Sequence, residues 1–413
     1  MFYLSIPLIL LRLFWKSRHH LKYCKRVKER FGFVSPIQKN SIWVHAVSVG
    51  EVIAARVLVK QIQTTFPDYP IVLTTMTTTA AAQVDNLFAG TVQHFFVPYD
   101  LPDVVNRFLD RIKPKVAIIM ETEIWPNFIY SCDRRKIPLL LANARMSARS
   151  AAGYYRFKYF IADVISRISM IAAQTVVEAE RFEWLGAKKQ HIVVTGSMKF
   201  DQEVPASTDE KAAVFKSLWG QNRSVWVAAS THEGEEELIF NVHKKILEQV
   251  PNALLVVVPR HPERFSKVAA LSKKYGFNTV LRSSNQSCDN SVQVVIGDSM
   301  GEMLSYYAAS DIAFVGGSLV QVGGHNLLEP AALGIATITG QYVFNFTEIT
   351  AMLVNAGAVV KVVNEKELTN AVVAWMHDSA SRAQAGESGR KVVERNRGSV
   401  KKHLQLFTQL IER

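Results

Sequence analysis

The stretch IWVHAVSVGEVIAA, residues 42 to 55, decides how the chain is read. Ile42 to Val47 is apolar but for one histidine, as a parallel strand covered on both faces must be. It passes through Ser48 and Gly50, where a glycine allows a tight turn, into an amphipathic run that opens with Glu51. A strand that turns at once into a helix is the unit from which doubly wound α/β domains are built. The same rhythm continues through PIVLTTM, VQHFFVPY, KVAIIME, IPLLLAN, SMIAAQ and HIVVTG, to about residue 195. It restarts at SVWVAAS (224 to 230) and runs through ALLVVVPR, NTVLRS, VQVVIGD, DIAFVGG, IATITG and AVVKVV. Between the two series lies DQEVPASTDE, residues 201 to 210, polar and broken by Pro205, a composition suited to a linker.

The expected architecture is therefore two Rossmann-like α/β domains, 31–200 and 211–390, facing each other across a cleft. A helical tail over 391–413 closes the chain and is expected to bridge back to the first domain. The length agrees, since 413 residues with 48% apolar content exceed what one core usually serves. Cys24, Cys132 and Cys288 lie far apart with no CxxC pair, so neither a disulfide framework nor a structural zinc site is indicated. A net charge of +12 favours a polyanionic partner: nucleic acid, an anionic membrane or a phosphorylated substrate.

The N-terminus narrows that choice. MFYLSIPLILLRLFW contains twelve apolar residues in fifteen, and the next fifteen residues hold seven Lys or Arg against one Glu. A secretory signal has the reverse order and a small-residue cleavage site. The apolar stretch is shorter than the ~20 residues of a full span and is interrupted by Pro7 and Arg12. Residues 1–30 are expected to be a shallow or marginal anchor whose basic flank lies on anionic lipid at the cytoplasmic leaflet. The competing reading is an amphipathic first helix packed on the protein itself. A nucleic-acid partner is not favoured, because the basic cluster adjoins an apolar stretch instead of interleaved aromatics.

In open α/β sheets, ligands bind at the carboxyl ends of strands. In the first half those ends carry Glu51, Glu121 with Glu123 two residues on, and Lys199 in TGSMKFD. A lone carboxylate at a helix start can be no more than a favourable dipole partner. In the second half, VPRHPERF presents Arg260 and His261, with Arg264 a turn later, and a planar guanidinium suits a phosphate. The acid run of STHEGEEE most simply caps and solvates a helix start. GDSMGEM (297 to 303) turns sharply into a helix, so its amides can face an anion. GGSLVQVGGHNLLEPAALG (316 to 334) combines glycines, which permit close backbone approach, with Asn326 to Glu329 opening a helix and Glu329 placed to accept sugar hydroxyls. That loop suits a nucleotide sugar. Neither GxxxxGK[ST] nor a GxGxxG after the first strand is present, which removes support for ATP hydrolysis or a dinucleotide.

Taken together, WVHAVSVGE, TTMTTTA, METEIWPN, NARMSARS, GSMKFD, STHEGEE, PRHPERF, GDSMGE, FVGGSL and GGHNLLEP closely resemble, in order, the 3-deoxy-D-manno-octulosonic acid (Kdo) transferases of Gram-negative bacteria. The resemblance implies a GT-B fold, attachment to the cytoplasmic face of the inner membrane, and transfer of Kdo from CMP-Kdo to the lipid A precursor. It implies Glu51 as base and Glu121 and Lys199 as transition-state helpers. It places CMP at Pro259, Arg260, Met300, Gly301, Glu302, Asn326, Leu327, Leu328 and Glu329, with Leu327 where many relatives have proline. No cofactor is implied. No Asp-x-Asp ligand pair is visible, and a monophosphate leaving group can be met by Arg260, Lys199 and a helix N-terminus without a metal. His45 and His261 read equally as structural histidines, Glu123 as a partner for an arginine such as Arg145, and Arg145 and Arg149 as contacts for acceptor phosphates or as solvated charges. The alternatives are a GT-B enzyme with another sugar nucleotide and a non-catalytic lipid-binding homologue.

Overall fold

The computed structural model describes residues 26–220 and 222–413. The apolar stretch 1–15 and the basic residues up to 25 lie outside the described residues, so the expected anchor is not seen. Among the described residues no helix is long and apolar enough to cross a membrane. The chain forms two compact units, one extending to Gln202 and resuming at Arg397–Arg413, the other Glu203–Asn396.

The first unit holds β1 (Ser41–His45), β2 (Ile71–Thr75), β3 (Gln93–Phe96), β4 (Pro114–Met120), β5 (Leu139–Ala144), β6 (Met170–Ala173) and β7 (Ile192–Val194). They make one parallel sheet in the order β3-β2-β1-β4-β5-β6-β7. Every residue of β1 is buried, and the strand's alternation divides them between two cores. Trp43 packs against Phe108 and Phe128 on one face, while Ile42 and Val44 join Val52, Leu58 and Ile62 on the other. Sequence order reverses between β1 and β4, so the carboxyl ends of those two strands form the ligand crevice of this sheet.

The second unit repeats the plan with β8 (Val225–Thr231), β9 (Leu254–Pro259), β10 (Thr279–Leu281), β11 (Val294–Ile296), β12 (Ile312–Val315), β13 (Ala336–Thr339) and β14 (Val359–Lys361). The sheet is again parallel, in the order β10-β11-β9-β8-β12-β13-β14, and its crevice lies between β8 and β12.

Two expectations change in detail. The polar segment 201–210 is only partly linker, because Asp201 ends a turn of 3-10 helix and Ser207 begins the helix Ser207–Trp219. The tail is not one helix. Ser379–Asn396 belongs to the second unit, the chain breaks at Gly398 (φ +97°), and Ser399–Ile411 folds onto the first unit. There Val400, Leu406, Phe407 and Leu410 enter the core beside Ile62, with Phe407 edge-on to Phe66. Asp201 fastens the start of this last helix by accepting the amides of Gly398 (2.6 Å) and Val400 (2.5 Å).

Candidate active site

In the first unit β1 delivers the chain to Ser48, the N-cap of the helix Val49–Thr65. Ser48 and Glu51 form a capping box: the Glu51 amide reaches Ser48 Oγ (3.4 Å), the Ser48 hydroxyl donates to Glu51 Oε1 (2.8 Å), and the Val47 amide donates to Oε2 (2.9 Å). The turn does not depend on Gly50, where an added Cβ would meet nothing nearer than Ser48 Oγ at 3.8 Å. Glu51 is only 7% exposed. Burial lifts its carboxyl to about 7 against the hydrogen bonds from Val47 and Ser48, and the charges of Glu121 and Glu123 lift it further. A simple capping carboxylate has no need of such an environment; a proton acceptor working near neutrality does.

Glu121 follows β4 across the crevice with φ +56°, a left-handed conformation for a side-chain-bearing residue, yet its amide still pairs with the carbonyl of Ala142 (2.9 Å). Strain of this kind gathers where geometry is functionally constrained. Glu123 turns to Trp125 instead, accepting the indole N–H at 2.5 Å, and Trp125 stands edge-on to His45. His45 is a structural residue: buried, held by Thr74 and lowered to about 4 by burial.

Lys199 sits in the turn Met198–Asp201, which packs against the helix that Glu51 heads. Its ammonium group is half-buried and makes no ion pair among the described residues. The turn is set by Asn143, at the end of β5 with φ +51°, whose Oδ1 accepts the amide of Met198 (3.1 Å). The amide of Asn143 donates to His403 Nε2 (2.8 Å), while His403 Nδ1 donates to the Ser399 carbonyl (2.8 Å). Burial lowers His403 to about 4, which keeps the ring neutral and this tautomer intact. Asn143 and His403 were missed in the sequence, because a polar side chain buried among distant elements leaves no periodic signal.

In the second unit the acid run after β8 is not a solvated helix start. Glu235 and Glu236 are fully buried. Glu235 accepts the amides of His232 (3.0 Å), Gly317 (2.7 Å), Ser318 (2.9 Å) and Leu319 (2.9 Å), tying the glycine loop after β12 to the loop after β8. Gly316 and Gly317 are required for this approach, since a Cβ on Gly316 would stand 2.9 Å from Glu235 Oε2 and Gly317 has φ +65°. Glu236 takes the Thr231 hydroxyl and both terminal nitrogens of Arg264, at 2.7 and 3.1 Å, so Arg264 is committed internally and is not a phosphate ligand.

Arg260, in contrast, is exposed just beyond Pro259 at the end of β9 and makes no hydrogen bond or ion pair among the described residues. Beside it three histidines cluster. His232 and His325 stack at 5.1 Å with Nε2 atoms 2.8 Å apart, and His261 stands edge-on to His232. Burial, reinforced by Arg260, lowers His325 to about 4; burial and the His261 charge lower His232. The pair shares one Nε2 proton between two neutral rings, and the cationic charge here is the guanidinium.

The remaining predicted donor residues divide by exposure. Met300 is 64% exposed and Gly301, φ +78°, has open space beyond its Cα. Glu302 is held by Arg282 (3.1 Å) and the Ser299 hydroxyl (2.5 Å). Asn326 donates to Glu329 (3.2 Å) and accepts the Leu328 amide (3.1 Å). Leu327 and Leu328 are buried, so their side chains serve the core and not a ligand. Among the described residues no group of three His, Cys, Asp or Glu is placed to hold a metal ion.

This pair of parallel sheets, each with its site at the carboxyl ends, has the GT-B glycosyltransferase fold. A solved glycosyltransferase from Rickettsia africae superposes with a TM-score of 0.56 at 13% identity, over 91% of this chain and 99% of that one, and a model of group 1 glycosyl transferases matches residues 212–392. A model described as 3-deoxy-D-manno-octulosonic-acid transferase matches residues 25–202. The chain is 43% identical over 411 residues to the 3-deoxy-D-manno-octulosonic acid transferase of Haemophilus influenzae, covering 98% of this chain and 96% of that one. It is 35% identical over 377 residues to a probable mitochondrial 3-deoxy-D-manno-octulosonic acid transferase of Arabidopsis thaliana, covering 89% and 84%. The chain belongs to the Kdo transferase family and is a glycosyltransferase of that class.

Proposed function

We propose that this Kdo transferase takes the sugar from CMP-Kdo and passes it, with inversion at the anomeric carbon, to a hydroxyl of the lipid A precursor in lipopolysaccharide biosynthesis. The observation that carries the mechanism is the buried Glu51 carboxylate, held by Val47 and Ser48 and raised to about 7. The ionised Glu51 takes the proton from the acceptor oxygen as that oxygen bonds to the anomeric carbon and the bond to the CMP phosphate breaks. The open space beside Gly50 lets the acceptor approach. Glu121 and Lys199 act as helpers in the transition state.

CMP leaves with its bonding electrons as a monophosphate, met by the Arg260 guanidinium and by backbone amides of the glycine loop and of Met300 and Gly301. Such a leaving group needs no divalent ion, so activity is expected to survive excess chelator; a strict magnesium or manganese requirement would overturn this arrangement. Mass spectrometry of the product formed from CMP-Kdo and a tetraacyl lipid A precursor tests the assignment. Addition of Kdo mass is expected, and turnover with a different sugar nucleotide alone would reject the donor.

We place the enzyme at the cytoplasmic face of the inner membrane, held by residues 1–15 and the basic residues that follow. A chain lacking residues 1–15 is expected to fold, to bind anionic vesicles at low salt and to wash off at high salt while the intact chain stays bound. Loss of cooperative melting on that deletion would instead make the segment part of the core.

A further inference from the structure

A corner of the first unit, far in sequence from the N-terminal segment, carries the features of a second lipid contact. The helices Ala148–Tyr155 and Lys158–Ser166 meet at the sequence Tyr155-Arg156-Phe157-Lys158-Tyr159-Phe160. Tyr155 is 39% exposed, Phe157 69%, Tyr159 83% and Phe160 51%, and Trp184, 52% exposed, stacks on Tyr155 at 4.1 Å. Five of the seven exposed Phe, Tyr and Trp residues among the described residues are thus gathered at one place. Scattered exposed apolar residues call for no explanation, but a contiguous aromatic patch does.

The charges between the rings identify the partner. Residues 143–162 contain four Lys or Arg and no Asp or Glu. Arg149, Arg156 and Lys158 are exposed, and Lys158 lies over Tyr155 and Tyr159 at 5.7 and 4.9 Å. The nearest following acid, Asp163, is already taken by Tyr130 and Arg167. Aromatic rings alternating with cations suit the boundary of an anionic bilayer, where rings settle at the glycerol level and cations reach phosphate headgroups. Behind the rings opens a cavity of about 540 Å³ lined by Ser150, Gly153, Tyr154, Phe157, Phe160 and Ile161, apolar enough to take part of an acyl chain.

We propose that this corner is a membrane-docking surface that inserts its aromatic side chains into the interface of an anionic bilayer. It involves none of the residues placed in catalysis or donor binding. Its readout is therefore independent of the donor and acceptor assigned above.

The test places an environment-sensitive fluorophore on Phe157→Cys in the full-length chain carrying Cys24→Ser, Cys132 and Cys288 being buried. A matched label on Val363→Cys, in the second unit, is the control. With phosphatidylethanolamine/phosphatidylglycerol vesicles, the label at 157 is expected to shift to the blue and to be quenched by shallow nitroxide lipids, and the label at 363 is not. Replacing Phe157 and Phe160 together by Ser is expected to weaken vesicle binding by roughly tenfold while leaving turnover on detergent-dispersed acceptor unchanged. A label at 157 that stays in water on vesicle-bound protein overturns the proposal, as does failure of the chain to bind vesicles. A shift produced by raising protein concentration without lipid makes the corner a contact between copies. A shift seen only with the acceptor in detergent makes it part of the acceptor site. Either result replaces the membrane surface.

Discussion

Each unit sets a buried glutamate at the start of the helix that follows its first strand, and the two carboxylates are treated very differently. Glu235 receives four backbone amides, three of them from the loop after β12, so every lone-pair direction is occupied by a fixed donor. Glu51 receives one amide and one hydroxyl, and faces two further carboxylates. A fully coordinated carboxylate is a clamp; a half-coordinated one in a dry site retains the capacity to take a proton. The fold supplies the position twice, and the number of donors aimed at it decides whether the residue holds backbone or does chemistry.

The sharpest way to break this comparison is to remove the clamp. Glu235→Ala leaves the amides of Gly317, Ser318 and Leu319 buried without an acceptor, and at about 1–3 kcal/mol for each such group the loss should reach ~3–5 kcal/mol. Calorimetry should show a markedly lower Tm in the second unit together with loss of CMP binding. A variant that melts like the parent and binds CMP normally would mean the loop does not depend on Glu235.

Glu51→Gln should do the opposite. Gln can still accept from Val47 and donate to Ser48, so folding and CMP affinity should be preserved while turnover falls by ~100-fold or more, about 2.7 kcal/mol in the barrier. If turnover survives, the carboxylate is only a capping group and the base lies elsewhere.

Arg260→Lys probes the exposed cation of the second unit. An ammonium cannot reproduce the planar fork, so a loss of roughly tenfold in kcat/KM for the donor is expected from steady-state kinetics. An unchanged value would assign the phosphate to backbone amides alone.

What the sequence disclosed and what it concealed follow the same divide between local and distant. The strands were legible because parallel strands covered on both faces are continuous apolar runs, and IWVHAV or ALLVVVPR has few other uses. Glu51 was legible as a strand-end carboxylate, and its capping box is contained within four residues. The role of Glu235 was not, because its partners at Gly317 to Leu319 lie more than 80 residues away and an acid run before a helix looks like a solvated cap. Arg264 had the same signature as Arg260, and only the buried Glu236 tells them apart. Asn143 and His403, 260 residues apart, could not be paired from spacing. Leu327 and Leu328 stood inside a motif whose polar members drew attention from their own burial.

The smallest effect is the most specific to the comparison. The folded chain holds Glu51's proton up to about pH 7, whereas the unfolded chain releases it near the ordinary value of 4.5. Between those values the folded state binds more protons, so this group's ionisation subtracts stability as pH rises through the window, and the full cost is present above about 7. The histidines act with the opposite sign. His45, His243, His325 and His403, each lowered to about 4 from 6.5, are protonated first in the unfolded chain, so their contribution is lost as pH falls from 6.5 towards 4. The two effects overlap in the parent protein, but Glu51→Gln removes only the first. The variant should therefore be more stable than the parent at pH 8, by on the order of 1 kcal/mol after allowance for relaxation and water entry, and the advantage should shrink to near zero by pH 5. Denaturant titrations of both proteins at pH 5, 6, 7 and 8 measure it. A difference that stays constant with pH would show that Glu51 holds no extra proton in the folded state, and would remove the feature that distinguishes it from Glu235.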